Sequence, residues 1–437
     1  MKPSILPGLL AALLGMALPA SAAESATTIA IAAARAQYPA MVEWRRDFHR
    51  HPELGGHEVR TAAAIARELR ALGLEPRTGI ARTGVAAVLR GGKPGPRIAL
   101  RADMDALPVE EATGLPFAST VRSTYRGQPV GVMHACGHDL HVAILLGVAR
   151  ALAERRQELA GEVMFVFQPS EEGPDEPGAR FGARLMLDEG VWKDFRPEAV
   201  FGLHVWSALQ VGQVGFRSGP LLASADEWAL TVRGRQTHGS RPWDGVDPIT
   251  VAAQILLGTQ SMIARQVNIA STPVVLTAGQ FNAGVRFNII PDEAKLVGTL
   301  RTFDPAVRED VIARFGRIAS DYAHAAGATA KLEVVNTAPA TINEPQLARR
   351  VLASLQAAAG AENVVEMPLQ TIAEDFSQFA NEVPGAFFLV GTTPAGQDPA
   401  QAPINHSPHY APDEAALEHG AKAMLQVVLD YLGGAPG

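Results

Sequence analysis

Apolar residues recur at helical spacing through residues 60–72, and Gly73 stands where such a helix stops. Two short apolar runs follow at 85–89 and 98–102, split by the turn cluster Gly91-Gly92-Lys93-Pro94-Gly95-Pro96. The pattern then predicts a helix over His138–Glu154, a strand over 162–168, a helix over 178–189 and a buried strand over 199–204. Strands alternating with helices in this way predict βαβ units around a mostly parallel sheet.

The character changes near Leu221. Residues 227–233 alternate, 247–265 predict a helix opened by Asp247-Pro248, 273–282 and 294–303 alternate again, and Pro305–Ala325 predicts a second helix. This is a β-α-β-β-α-like block, with a small sheet faced by two helices. Helices over 346–359 and 413–432 and a strand over 386–390 return to the first pattern. The expected organisation is an α/β domain split into residues 35–220 and 338–433, with a smaller α+β, ferredoxin-like domain inserted at 221–337.

The first residues read differently. Lys2, an apolar run from Ile5 to Leu18 and the small residues Ala20-Ser21-Ala22 predict a secretory signal peptide over 1–22, too short to serve as a bilayer span of about 20 residues. The expected destination is secreted or periplasmic, with no membrane attachment after cleavage. Apolar residues make up 47% of the 437-residue chain and charged residues 19%, which argues against long disorder. A net charge of −7 without a basic run excludes nucleic acid as an expected partner. One cysteine excludes an intramolecular disulfide, and a lone thiol in an oxidising compartment needs burial or a metal to protect it.

In open α/β sheets, ligand sites gather at the carboxyl ends of strands. Asp103-Met104-Asp105 follows the 98–102 strand, Pro169-Ser170-Glu171-Glu172-Gly173 follows 162–168, and the strand at 199–203 runs into His204. His134-Ala135-Cys136-Gly137-His138-Asp139-Leu140-His141 stands at the start of the predicted 138–154 helix. Thiolate, imidazole and carboxylate together suit a divalent ion such as Zn²⁺ or Mn²⁺. In Cys136-x-His138 alternate residues can converge on one point, and the thiolate could bridge two ions. His134 and His141 are expected to orient ligands rather than bind. Adjacent carboxylates at Glu171-Glu172 repel unless metal or protons absorb the charge, so one can bind metal while the other faces the cleft as a general base.

These segments resemble one group of proteins. Leu100-Arg101-Ala102-Asp103-Met104-Asp105-Ala106-Leu107-Pro108, Met133-His134-Ala135-Cys136-Gly137-His138-Asp139 and Gln168-Pro169-Ser170-Glu171-Glu172-Gly173 are similar to the hippurate hydrolase and indole-acetyl-amino-acid amidohydrolase branch of the aminoacylase–carboxypeptidase metallopeptidase family. So are His49-Arg50-His51-Pro52-Glu53-Leu54, Asn288-Ile289-Ile290-Pro291, Gly298-Thr299-Leu300-Arg301, Glu374-Asp375-Phe376-Ser377 and Asn405-His406-Ser407-Pro408. They run in the family's order over essentially the whole chain after the leader.

The resemblance implies a catalytic domain with an inserted dimerisation or lid domain. It implies two divalent metal ions per subunit (Zn or Mn, with Co or Ni as alternatives) held by Cys136, His138, Glu172, His204 and His406, and Glu171 as general base. Other branches carry a His near position 103 and an Asp in place of the Cys, so Asp103, Asp105 and Asp139 are expected to support the ligands. His238 matches a lid histidine that reaches the site of a neighbouring subunit, and Asn288 and Arg301 match residues that hold a substrate carboxylate. The implied activity is metal-dependent hydrolysis of the amide bond of N-acyl amino acids or small peptides by a metal-activated water, in a homodimer. A dipeptidase or carboxypeptidase on the same fold is the alternative, and a non-catalytic binding protein a further one. Use of Cys136 as a nucleophile is disfavoured, because the nearby carboxylates raise a thiol pKa. One departure from the branch is the extra stretch at 174–181, which bears on the choice of acyl group.

Overall fold

The computed structural model describes residues 25–434 apart from 175, 177 and 179. The leader expected at 1–22 lies outside the described residues, as does part of the 174–181 stretch.

Eight strands form the central sheet, in the spatial order Arg77–Ile80, Gly84–Arg90, Ala160–Gln168, Lys93–Asp103, Ala199–Gln210, Gly385–Thr393, Val214–Phe216 and Val364–Glu366. The middle of the sheet is parallel: Lys93–Asp103 pairs in parallel with Ala160–Gln168 and Ala199–Gln210, which pairs in parallel with Gly385–Thr393. These strands are apolar almost without interruption because both faces are covered. One face packs helices Ala26–Arg50, Val59–Ala71, His138–Glu154, Pro345–Ala359 and Ala415–Leu432. The other carries the short helices Gly182–Asp188 and Phe376–Glu382 with Trp192 and Phe195.

A second sheet of four antiparallel strands is built wholly from residues between 225 and 338, in the order Val275–Ala283, Glu293–Arg301, Ala225–Arg233, Thr329–Ala338. With helices Pro248–Gln266 and Pro305–Ala325 the chain order is β-α-β-β-α-β, the ferredoxin-like arrangement. It has its own core of Trp228, Leu230, Val232, Ile255, Leu296 and Phe315. Three helix starts share one device, an acidic cap followed by Pro. Asp247, Asp304 and Glu344 each accept backbone N–H groups of the first turn, and the Pro at the next position lacks the N–H that would otherwise go unpaired.

Several elements depart from the sequence reading. The first helix begins at Ala26, ahead of the expected domain start at 35. The strand through His204 continues to Gln210. The helix expected over 178–189 is confined to Gly182–Asp188, because Phe181 is extended and Gly182 takes a left-handed φ of +56°. The strand Thr329–Ala338 closes the small sheet, where the sequence reading carried no element.

Arg45, on the first helix, is 1% exposed and donates from Nε to Asp139 Oδ2 at 2.9 Å and from Nη1 to Glu414 at 3.2 Å. His49 joins Asp139 to Glu111 through its two ring nitrogens, at 2.9 and 3.1 Å. Removing one partner of a buried pair leaves an uncompensated charge. Arg45→Leu is therefore expected to destabilise the fold by about 3–5 kcal/mol, read as a lower urea midpoint. Arg122→Ala, which breaks only the exposed pair with Glu110, is expected to leave that midpoint unchanged.

Candidate metal centre

The loop from His134 to Gly137 delivers two donor residues to the start of the His138–Glu154 helix. Gly137 takes φ +93°, and a Cβ there would stand 2.4 Å from Val205 Cγ2, so only glycine lets this turn close against the neighbouring strand. Asn405 clamps the same loop, donating to the carbonyls of Cys136 at 3.0 Å and Val205 at 3.1 Å.

Around Cys136 the side chains converge. Its Sγ lies 3.3 Å from His204 Nε2 and 3.2 Å from His406 Nε2, and His406 Nε2 lies 3.0 Å from Glu172 Oε1. Cys136, His138 and Glu172 offer donor atoms within 4.8 Å of one another. His204 donates its Nδ1–H to the Val205 carbonyl at 2.6 Å, which leaves the Nε2 lone pair facing the cluster. His138 meets Asp105 through Nδ1 at 3.2 Å, while its Nε2 is buried without a hydrogen-bond partner. A buried imidazole nitrogen without a hydrogen bond, here 3.7 Å from Asp103 Oδ2, is costly unless something binds it. The donor set of thiol, imidazoles and carboxylate fits a divalent transition ion.

His141 is different. It also lies in a cluster with Asp103, His138 and His204. However, its Nδ1 bonds Asp103 at 2.5 Å and its Nε2 accepts the Val205 N–H at 2.9 Å, so both nitrogens are committed. Both nitrogens therefore hold Asp103 and the Val205 backbone in place. Neither ring nitrogen of His134, also expected to orient ligands, has a hydrogen-bond partner among the described residues. Asp139 supports the site indirectly, by fastening the helix start to Arg45 and His49 rather than by bonding His138.

Asp105 holds the two sides of the site in register. Its Oδ1 accepts the Glu171 N–H and its Oδ2 the Glu172 N–H, each at 3.0 Å, while Oδ1 also faces His138 Nδ1. Glu171 sits beside Glu374 and Asp375, and its Oε1 accepts the Asp375 N–H at 3.4 Å. Burial, then Glu374, Glu172 and Asp375, push the Glu171 pKa well up against the opposing pull of Arg101. Burial, then Glu172 and Glu171, push the Cys136 thiol up as well, the reverse of what a thiolate nucleophile needs.

Two backbone outliers mark the site. Ser170, next to Glu171, has φ +54° and His406 has φ +73°. Such conformations in non-glycine residues persist only where the surroundings hold them. Ser170 is held by its N–H bond to Glu58 at 2.8 Å and His406 by its N–H bond to the Ala135 carbonyl at 2.8 Å.

His238, Asn288 and Arg301 lie in the small sheet's unit, and no hydrogen bond or ion pair joins them to the Cys136 cluster among the described residues. A two-residue ladder, His238 to Ile289 and Thr237 to Ile290, sets His238 beside Asn288. Asn288 Oδ1 is buried without a partner, whereas Arg301 is half-buried and donates to the Ser224 carbonyl at 3.3 Å. The sequence reading assigned no role to Arg101, Gln168, Glu374 or Asp375, which form a buried network beneath Glu171. The available signal was Arg101 itself, a charge inside an otherwise apolar strand.

Comparison with known proteins places this geometry. Residues 99–430 match the family described as Peptidase family M20/M25/M40. Thermostable carboxypeptidase 1 of Saccharolobus solfataricus is 37% identical over 90% of this chain and 95% of its own. N-acetylcysteine deacetylase of Bacillus subtilis is 37% identical over 91% of this chain and 98% of its own. A Bacillus subtilis crystal structure described as a dinuclear metal-binding peptidase of the M20 family superposes with a TM-score of 0.76 at 34% identity, over 91% of this chain and 99% of that one.

Partners that orient metal ligands typically contribute 10–100-fold in metal affinity. Asp105→Ala is expected to weaken metal binding by roughly that factor, measured by chelator competition, with the far-ultraviolet circular dichroism unchanged.

Proposed function

The chain belongs to peptidase family M20/M25/M40, whose reaction is metal-dependent hydrolysis of amide bonds, and from that premise we propose that it cleaves the acyl–nitrogen bond of N-acyl amino acids. The observation that carries the reading is the convergence of Cys136, His138, Glu172, His204 and His406 beside a carboxylate, Glu171, that no arginine or lysine pairs directly among the described residues. Two divalent ions, Zn or Mn, would be held by Cys136, His138, Glu172, His204 and His406, with Asp103 and Asp105 orienting those residues. The mixed thiol, imidazole and carboxylate donors support those metals.

When bound, the ions polarise the scissile carbonyl and make water acidic enough to lose a proton near neutral pH. Glu171 takes that proton and delivers it to the leaving nitrogen, so the amide becomes a carboxylate and an amine. Asn288 and Arg301 are proposed to hold the substrate carboxylate, Arg301 as a planar two-donor clamp. His238 is proposed to donate to the developing oxyanion in the site of a partner subunit. The unpaired edge of the strand Val275–Ala283 and the exposed Leu257, Phe281, Val285 and Phe287 support a homodimer built through the small sheet. The sequence 1–22 supports export to the periplasm or medium, with the leader removed.

The deacetylase relative favours acyl amino acids, and the carboxypeptidase relative keeps peptides as the second reading. A substrate panel of both kinds, with bound metal measured before and after chelation, tests the proposal. Chelation is expected to abolish turnover, and Glu171→Gln to keep its metal while losing on the order of 10³-fold in kcat. Folded, metal-free protein without chelator-sensitive turnover would sink the proposal. Glu171→Gln and His238→Ala are each expected to be inactive alone. Mixing them is expected to restore turnover, because a mixed dimer regains one intact site.

A further inference from the structure

Glu171, Glu374 and Asp375 bring carboxylate oxygens within 4.8 Å of one another, and Asp103 lies on the far side of the same nest. Such a group of acids calls for a cation. Here the chain supplies its own. Arg101 projects from the middle of the strand Lys93–Asp103, is fully buried, and spends its whole guanidinium on the nest. Nε donates to Gln168 Oε1 at 2.8 Å, Nη1 to Asp103 at 2.8 Å and Glu374 at 3.2 Å, and Nη2 to Glu374 at 2.8 Å and Asp375 at 3.0 Å.

The two ends of this fork lead to different halves of the site. Through Asp103 it reaches His141, which accepts the Val205 N–H next to His204. Through Glu374 and Asp375 it reaches Glu171, because the Asp375 N–H is the group that contacts Glu171 Oε1. Asp375 is pinned from every other side: Gln168 Nε2 donates to its Oδ1 at 2.7 Å and the Ala183 N–H to its Oδ2 at 2.8 Å. The chain leaves room for it at Gly182, where a Cβ would stand 2.0 Å from Asp375 Oδ2.

We infer that Arg101 is a positioning residue for Glu171, acting through Glu374 and Asp375 to fix the base relative to the donor residues on the other side of the same guanidinium. The three-carboxylate group is then an anchor whose cation is covalently supplied, and no additional metal site. The inference rests on the reading of Glu171 as the general base. A lysine cannot reproduce it, since one ammonium cannot reach Gln168, Asp103, Glu374 and Asp375 in the planar geometry the fork provides.

The test uses the metal-loaded full-length protein and the N-acyl amino acid that wild type cleaves best. Arg101→Lys and Asp375→Asn are expected to lower kcat about 10–100-fold with KM within about threefold and bound metal unchanged. In Arg101→Ala, added guanidinium ion is expected to restore part of the lost kcat, a readout that a purely structural role would not give. If Arg101→Ala fails to fold, the lysine and asparagine variants decide. Wild-type kcat in both, or a loss that tracks lost metal or lost folded protein, overturns the inference. Glu171→Gln separates the two claims: an active Glu171→Gln removes the base reading itself. An inactive one beside fully active Arg101→Lys and Asp375→Asn removes only the positioning role.

Discussion

Buried negative charge is the constraint around which this molecule is arranged. Asp103, Asp105, Asp139, Glu374 and Asp375 are all 3% exposed or less, and Glu171 and Glu172 stand beside them. Each buried carboxylate needs donors or a cation, or it cannot stay charged. Asp139 finds Arg45 and His49, Asp105 finds two backbone amides and His138, and Asp103, Glu374 and Asp375 share Arg101. What remains is Glu172, which meets His406, and Glu171, which meets one backbone N–H. Of these two, Glu172 is held below the usual carboxylate range by His406 and His138, whereas burial and the acids around it push Glu171 well up. Fold stability and site chemistry are two outcomes of one allocation of donors.

Much of this was legible because the large elements have strong periodicity. Helices His138–Glu154 and Pro305–Ala325 match the sequence reading at both ends, and the strands that carry Asp103, Gln168 and His204 announce themselves as continuous apolar runs. The donor residues were legible because they stand directly after those runs. Weak signals account for the rest. Ala26–Arg50 is Ala-rich, has Pro39 inside and follows an apolar stretch of sequence, so neither start nor period stands out. Thr329–Ala338 is a half-exposed edge strand with Lys331 and Glu333 among its residues, and its alternation is shallow. His134 looks like its neighbours in sequence but is buried with no hydrogen-bond partner at either ring nitrogen. Arg101 was visible as an anomaly, yet its four partners come from segments up to 274 residues away, which no local pattern contains.

The strained residues fit the same logic. Ser170 and His406 hold left-handed backbones at a cost of order 1–3 kcal/mol each. Each is fixed through its own backbone N–H, Ser170 to the Glu58 carboxylate and His406 to the Ala135 carbonyl beside Cys136. The strain aims Glu171 and the His406 imidazole at one place from two distant stretches of chain. A relaxed backbone at either position would turn the side chain elsewhere.

The insertion has a consequence for how the chain acquires its shape. The small antiparallel sheet is contiguous between 225 and 338, so all of its pairings can form once that stretch exists. The central sheet has no such freedom: the strand Ala199–Gln210 must wait for Gly385–Thr393, whose Gly385 pairs with Val200. Closing that loop carries an entropy cost before any contact repays it, which makes such pairings late events. A nascent chain therefore holds a finished small domain between two halves of an unfinished one. The open flank of Ala199–Gln210 during that interval is an apolar strand edge, the feature most prone to pairing with the wrong chain.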